Sequence, residues 1–198
     1  MAEQARAGMD GRRRVVVEGV SPEIDGGEFP AKRVVGEDVV VEADVFCDGH
    51  EVLAAVIRHR RAGDRSWQEA PMELLESDRW RGSFTVTEMG RHRFTVRAWL
   101  DRFATWRRDI GKKIDAGQDV SVELLTGAEL VEAGAKRGRG EGKLLRRFAA
   151  RLRDGDPDAA LDDELAEAMT RVPDRSGAVT FERELDVLVD APRARFSS

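Results

Sequence analysis

The sequence has a single cysteine and no hydrophobic run as long as a membrane-spanning helix. One cysteine, Cys47, excludes an internal disulfide framework of the kind that holds small secreted domains together. The lack of long apolar runs excludes a transmembrane helix, and the N-terminus lacks the apolar stretch of a signal peptide. These absences predict a cytoplasmic protein without a membrane partner.

The sequence also lacks an excess of positive charge. Its 33 lysines and arginines are outnumbered by 38 acidic residues, which gives a formal net charge of -5. Arginine-rich stretches such as Arg58–Arg61 and Arg146–Arg153 occur in a chain rich in acids, which is typical of solvated faces with ion pairs. We therefore expect no nucleic-acid partner.

The first half of the sequence contains short segments with the two-residue period of β-strands. In EDVVVEADVFCDG the residues at odd positions from Val39 to Cys47 are apolar, so Cys47 is expected to be a small buried residue. The segment SWQEAPM is expected to be a short edge strand broken by Pro71. Six or seven antiparallel strands before residue 100 predict a mainly β protein with an immunoglobulin-like antiparallel β-sandwich.

The hydrophobic period changes to helical spacing after Leu100. Asp119 is expected to cap a second helix, and Asp156-Pro157 to start a fourth helix that continues to Pro173. These helices predict a bundle inserted before the last strand.

The strand period returns in ELDVLVD (residues 184–190), whose apolar face is too short to be covered without a sheet. The strand ending near Leu100 and this last strand are therefore expected to be neighbours. The expected parts are a disordered tail at 1–11, a β-sandwich formed by 12–100 and 179–192, and an inserted helical bundle at 101–178.

Two motifs and two histidines are the candidates for catalytic or metal chemistry. GRGEGKLL departs from a phosphate-binding loop at Arg137, where glycine is needed, and at Leu144, where serine or threonine is needed. CDGHE (residues 47–51) gathers four potential metal ligands, but no second cluster of histidine or cysteine could complete the site. His59 and His92 stand alone within strands. We therefore predict no catalytic residue, cofactor or metal, and the residues favour a binding or assembly module.

The four tryptophans raise the alternative of a sugar-binding surface. Trp80 belongs to the inward set of its strand, and Trp106 lies on the apolar stripe of its helix, so both are expected in cores. Trp67 and Trp99 are the candidates for exposure and for sugar contact. Packing beneath the helical insertion or a partner is the favoured interpretation for both.

Four segments together resemble one family. They are PAKRVVGEDVVVEADVFCDGHE, FTVRAWLDRFATWRRDIGKKIDAGQDV, PDRS at 173–176 and RARFS at 193–197. Over residues 12–198 the sequence is similar to the bacterial α-1,4-glucan:maltose-1-phosphate maltosyltransferases of the α-amylase clan. The resemblance implies a β-sandwich with an inserted helical bundle, followed by a catalytic (β/α)₈ barrel.

The resemblance also implies an activity, the transfer of maltosyl units from maltose 1-phosphate to α-glucans with retention of configuration. A retaining mechanism needs two carboxylates about 5 Å apart, and in the family both lie in the barrel. No position here matches them, so the chain is expected to be inactive alone. Residues 193–198 are expected to begin the linker to the barrel, which would bind α-glucan and maltose 1-phosphate.

A homodimer is a further implication of the resemblance, with the N-terminal and inserted helical domains contributing to its interface. The leading hypothesis is therefore a non-catalytic assembly domain, and the alternative is an independent α-glucan-binding module. The candidate interface residues are the large side chains of the helices and two neighbouring arginines: Phe103, Trp106, Arg107, Arg108, Phe148 and Met169.

Overall fold

The computed structural model describes residues 15–191, and it contains nine strands and five α-helices in that range. The strands are β1 Val15–Ser21, β2 Ala31–Val34, β3 Asp38–Cys47, β4 Leu53–Arg61, β5 Gln68–Glu76, β6 Arg79–Thr85, β7 Gly90–Leu100, β8 Val179–Thr180 and β9 Leu185–Asp190. The helices are α1 Arg102–Asp115, α2 Ser121–Arg137, α3 Gly142–Arg153, α4 Pro157–Leu161 and α5 Asp163–Arg171. The expected tail and linker lie outside the described residues.

The strands form one curled sheet. Hydrogen-bonded neighbours follow the order β1-β3-β6-β5-β4-β7-β9-β2, and β8 pairs with β7. The inner face encloses one hydrophobic cluster with members from both ends of this order. The protein is therefore mainly β with a helical insertion, as the hydrophobic periods predict, while the immunoglobulin-like topology stays a prediction.

Alternation along β3 determines which side chains enter this core. Val39, Val41 and Val45 are buried, while Val40 between them is exposed. Trp80 of β6 is buried with them, as predicted. Cys47 is only half-buried, contrary to the prediction. It is the last residue of β3, so it lies at the end of the sheet rather than in its middle.

The segment around Pro71 is not a broken edge strand. β5 is continuous from Gln68 to Glu76 and lies between β4 and β6. Its first half pairs with β4 as far as Pro71, and its second half pairs with β6 from Met72. Proline, which cannot donate a ladder hydrogen bond, therefore stands where the strand changes partners.

The last strand has the neighbour that its apolar face requires. β9 pairs antiparallel with β7, with Phe94 opposite Leu185 and Gly90 opposite Val189. The prediction that these strands are neighbours is confirmed. One detail differs from an all-antiparallel sheet, because β2 pairs with β9 in parallel, from Ala31 opposite Val187.

The helices pack around a second, separate hydrophobic cluster. The ring of Trp106 lies against Gly127 of α2, where an added Cβ would be 2.0 Å from the ring atom Cζ2. The indole N–H also donates to the carbonyl oxygen of Glu123 over 2.7 Å. A glycine in the middle of α2 thus lets a large aromatic side chain reach the second helix.

The expected fourth helix is two helices. Asp156 caps α4 by accepting hydrogen bonds from the N–H groups of Asp158 and Ala159, as predicted. The chain then becomes extended at Asp162, whose side chain accepts from the N–H of Glu164 and caps α5. A second strong N-cap residue therefore interrupts the helix that the apolar spacing alone would continue.

The predicted start of the second helix is nearly right. α2 begins at Ser121, and the Asp119 carboxylate accepts from the N–H of Ser121 over 3.0 Å. In the part of the chain that the structure describes, no helix is both long enough and apolar enough to cross a membrane.

Candidate functional site

The bundle is joined to the sheet by a short seam in which β7 runs directly into α1. The N–H of Asp101 donates to the Val52 carbonyl over 2.8 Å, and the N–H of Val52 donates to the Thr105 hydroxyl over 2.9 Å. The Asp101 carboxylate accepts from the N–H of Ala104 over 2.8 Å and caps the helix. The abrupt change from strand to helix therefore builds a fixed joint.

A second connection clamps the chain that returns from the bundle. The Arg175 guanidinium lies 4.4 Å from the centre of the Trp99 ring and donates to both carboxylate oxygens of Glu69, over 2.9 and 2.8 Å. Trp99 belongs to β7 and Glu69 to β5, so Arg175 bridges across β4. The PDRS segment thus holds the outgoing end of the bundle on the outer face of the sheet.

A groove of about 490 Å³ runs along the bundle beside α1. Its floor includes Phe103, Leu130, Leu161 and Met169. Its rim carries charged side chains, namely Asp101, Arg102, Arg107, Arg108, Lys112, Asp115, Arg137 and Asp174. An apolar floor with a charged rim is the usual anatomy of a protein-binding surface.

The pKa of Asp174, which lies at one end of the groove, is lower than that of an ordinary aspartate. A hydrogen bond from the backbone N–H of Ser176 lowers the pKa of this carboxyl group, and the positive charges of Arg137 and Arg102 lower it further. The carboxylate therefore stays ionised well into the acid range.

The structure places four candidate interface residues on the groove: Phe103, Arg107, Arg108 and Met169. Both arginines are already engaged within the chain. Arg107 donates to the Leu161 carbonyl over 2.6 Å and to Asp163 over 2.9 Å, and Arg108 donates to the His50 carbonyl over 2.6 Å. They shape the rim by joining α1 to its neighbours.

The large side chains among the candidates are mostly used by the bundle itself. Phe148 is fully buried, and Phe103, Trp106 and Met169 keep only small exposed edges. Because a fully buried ring has no surface to offer, Phe148 would influence an interface only through the packing of the helices. The candidate set remains a prediction for the intact assembly.

Sequence reasoning missed an exposed apolar strip at the start of α2. Val122 is 72% exposed and Leu125 is 52% exposed. Positions 122, 126, 130, 133 and 137 share one face of a helix, so Val122 continues the groove face that holds Leu130 and Ala133. The only signal was two apolar residues outside the buried set of α2, and isolated exposed apolar residues carry little information.

Arginine covers ring surface of both tryptophans that the sequence suggests for sugar contact. Trp99 is 5% exposed and lies under Arg175. Trp67 is half-buried, with the guanidinium groups of Arg60 and Arg58 at 4.3 and 4.9 Å from its ring centre. Cation–π contacts thus occupy the surface on which a pyranose would stack.

The segment CDGHE does not complete a metal site within the described part of the chain. Across residues 15–191 no group of three or more histidine, cysteine and acidic side chains is placed to hold a metal ion. Together, the groove, the apolar strip and the two fixed joints define the class of this protein. It is a mainly β region with an inserted helical bundle, and the bundle carries a groove with an apolar floor and a charged rim.

Comparison with known proteins identifies the family. The model of the N/S domain of α-1,4-glucan:maltose-1-phosphate maltosyltransferase matches residues 13–191. Three relatives carry the same enzyme name: those of Chlorobaculum tepidum, Myxococcus xanthus and Cereibacter sphaeroides, which are 44%, 46% and 38% identical to this chain. The alignments cover 96%, 93% and 93% of this chain but only 29%, 30% and 32% of those proteins. This chain belongs to the α-1,4-glucan:maltose-1-phosphate maltosyltransferase family and corresponds to its N-terminal region.

Proposed function

We propose that this chain is the non-catalytic N-terminal region of a maltosyltransferase, and that its helical bundle forms part of a homodimer interface. The observation that carries the proposal is the match to the N/S domain over residues 13–191, together with the chain's 29% share of a relative's length. The catalytic machinery of the full enzyme would then lie in the remaining length, and this region would serve its assembly.

The bundle supplies the support for the dimer. Val122 and Leu125 are exposed large apolar residues of α2, the helix whose Leu130 and Ala133 line the groove that contains Phe103 and Met169. Burying exposed apolar area is the main favourable term in association. In a two-fold dimer the same surface occurs on both subunits. The apolar strip of each subunit can therefore contact the groove of its partner.

The lack of catalysis is tested with the 198-residue chain itself. Phosphate release from maltose 1-phosphate, with glycogen as acceptor, is expected to equal the rate without protein. Turnover that survives repurification and follows the 22.0 kDa species would contradict the proposal.

The dimer is tested in the full-length enzyme by sedimentation. Val122→Glu with Leu125→Glu is expected to weaken the dimer by at least about tenfold, since two desolvated carboxylates would replace apolar contacts. The matched control is Leu74→Glu with Leu75→Glu, which changes two leucines of β5 with similar exposure. Equal dimer dissociation constants for the wild type and both variants would show that the bundle surface is not the interface.

A further inference from the structure

The outer face of the sheet half formed by β5, β4 and β7 carries an unusual concentration of arginine. We name it the arginine face, and it consists of Arg58, Arg60, Arg91, Arg93, Arg97 and Arg175 around Trp67 and Trp99. The strand pairing puts these residues together, since Arg58 is opposite Thr95 and Glu69, and Arg60 is opposite Arg93. Directly paired residues have side chains on the same face of a sheet.

The arginine face has more positive charge than its own carboxylates balance. Among residues 15–191, the carboxylates within 4.0 Å of these six guanidinium groups are Glu69, Glu184 and Asp186. Arg97, in the middle of the face, has no ion pair or hydrogen bond from its side chain in that range. Six cations beside three anions repel one another, so an acidic partner would lower the free energy of the face.

Unpaired donors point the same way. Within the described residues, the buried Nε–H groups of Arg58, Arg60, Arg97 and Arg175 and the indole N–H of Trp99 have no hydrogen-bond partner. All five are donors and all lie on the arginine face, while one further unpaired donor in the same range, the indole N–H of Trp80, lies in the sheet core. Side-chain polar groups in this situation are normally satisfied, so the cluster indicates a surface that still has acceptors to meet after small rearrangements.

The opposite half of the sheet provides an internal comparison. Arg79 and Arg81 of β6 lie two residues apart on an outer face, as Arg58 and Arg60 do on β4. They are matched there by Glu42 and Asp44, with N–O distances of 2.5 to 3.1 Å. The hydrogen bonds from Arg81 and Arg79 also lower the pKa of Glu42. Arginine pairs on this sheet are therefore neutralised on one half and left in excess on the other.

The shape of the surface decides what kind of partner fits. The arginine face is the surface of a sheet rather than a cavity, and arginine and tryptophan are the residues most enriched where proteins dock. A second copy using the same face would bring six arginines against six, which like charges disfavour. An acidic protein surface fits both the charge and the shape.

The position of the face indicates which protein surface this is. The relatives are much longer than this chain, which covers 29% of one and 30% of another. The last described strand, β9, pairs with β7 and ends at Asp190, two residues after Leu188, which lies opposite Arg91. The polypeptide therefore leaves the sheet beside the arginine face.

We propose that the arginine face is the docking surface for an acidic surface of the catalytic region that follows the N/S region in a full-length maltosyltransferase. The inference rests on the proposed function for the identity of the occupant. The charge imbalance and the unpaired donors are independent of it.

Arginine-selective labelling with phenylglyoxal, read by mass spectrometry, tests the proposal in the full-length enzyme and in the 198-residue chain. Labelling of Arg58, Arg60 and Arg97 is expected to be about tenfold slower in the full-length enzyme, because a docked surface excludes the reagent. Arg147, an exposed residue of α3, is the control and should react equally in both proteins. Equal labelling of the arginine face in both proteins would overturn the proposal.

Charge reversal shows whether the occupant is recognised by charge. In the full-length enzyme, Arg58→Glu with Arg60→Glu should return Arg97 and Arg175 to the labelling rate of the isolated chain. Arg79→Glu with Arg81→Glu is the matched control and should leave them protected. If the first pair prevents folding, Arg60→Gln alone should raise the rate partway, and an unchanged rate in that variant would contradict the proposal.

Three further outcomes distinguish a second copy from the catalytic region, and the docking proposal from the proposed function. Protection in the isolated chain that increases with protein concentration would mean that a second copy covers the face, and the docking proposal would be wrong. Protection in a full-length protein without maltosyltransferase activity would support docking while removing the proposed function. Maltosyltransferase activity without protection of the arginine face would support the proposed function and contradict the docking proposal.

Discussion

The curled sheet and the helical bundle bury their cores by different means. In the sheet, alternate residues of strands distant in sequence meet on one inner face, and several of them are small or β-branched, such as Val41 and Ala43. In the bundle, large side chains enter gaps left by glycines: Trp106 against Gly127 and Met169 against Gly134. The bundle should therefore respond sharply to a single added methyl group.

The two regions also offer different surfaces. The bundle exposes the apolar residues Val122 and Leu125 on α2, the helix whose Leu130 lines the groove, although the sheet also exposes apolar residues such as Leu74. The sheet exposes arginine in excess over carboxylate on one half. The two proposals therefore assign an apolar contact to the bundle and an acidic contact to the sheet.

The largest effect is expected from Phe148→Ala, which tests whether the two cores are energetically separate. Phe148 is fully buried in the helical cluster, so its loss should cost about 3–5 kcal/mol of unfolding free energy. Hydrogen exchange should show lost protection in α2 and α3 while β3 and β4 keep theirs. Equal loss of protection in both regions would mean that the cores unfold as one unit.

Gly127→Ala tests the packing of aromatic side chains into glycine gaps. The added Cβ would lie 2.0 Å from the Trp106 ring, which is rigid, so we expect a loss of about 2–3 kcal/mol in chemical denaturation. Gly111→Ala in α1 is the control, because its Cβ would lie at an ordinary 3.6 Å from Leu161. That variant should gain about 0.5–1 kcal/mol from reduced backbone freedom. If the two variants changed the unfolding free energy by similar amounts, the close contact between Gly127 and the Trp106 ring would not explain the stability.

Arg175→Ala tests the clamp that holds the bundle's return on the sheet. It removes the contact with Trp99 and the paired hydrogen bonds to Glu69, and should cost about 1–2 kcal/mol. Arg147→Ala, which removes an exposed ion pair with Glu164, should change stability by less than about 0.5 kcal/mol. Urea denaturation measures both, and a neutral Arg175→Ala would show that the clamp does not stabilise the fold.

The smallest effect concerns His59, which stacks on Phe84 with ring centres 4.2 Å apart. Burial lowers the pKa of His59 from its ordinary value of 6.5, and the nearby His92 lowers it further. The unfolded chain then binds more protons than the folded chain, so stability is complete above pH 6.5 and falls as pH drops toward the folded pKa. The carboxyl groups with lowered pKa values titrate below this range.

The matched variant is His59→Phe, which keeps a stacked ring without a titrating group. Urea midpoints measured from about pH 7.5 to about pH 5.5 should decline less in this variant than in the wild type. Parallel declines would place the pH dependence at another group.

Much of the architecture was predictable because burial repeats along the sequence. The two-residue period of Val39 to Val45 and of Leu185 to Val189 allowed one face only toward the core. The pairing of β9 with β7 followed from the need of a short strand for a sheet neighbour. The caps at Asp156 and near Asp119 were readable because capping is a local interaction.

The predictions that were wrong or incomplete also have physical causes. Pro71 was read as a break because its missing N–H is a local fact, whereas its place at the change of partners depends on both β4 and β6. The break at Asp162 was missed because apolar spacing continues through it, although its side chain caps a new helix. Packing was the favoured interpretation for Trp99 and its burial agrees with that, but the sequence could not show that Arg175 covers the ring, because Arg175 is distant along the chain.

The sequence by itself determined the order of strand and helix, the inward faces and the family, because these depend on residue spacing and identity along the chain. Only the tertiary structure decided the joint at Val52, the clamp at Arg175, the groove beside α1 and the arginine face. Each of these depends on which distant strands and helices become neighbours. A charge has an excess or a partner only after the fold has brought the other charges beside it.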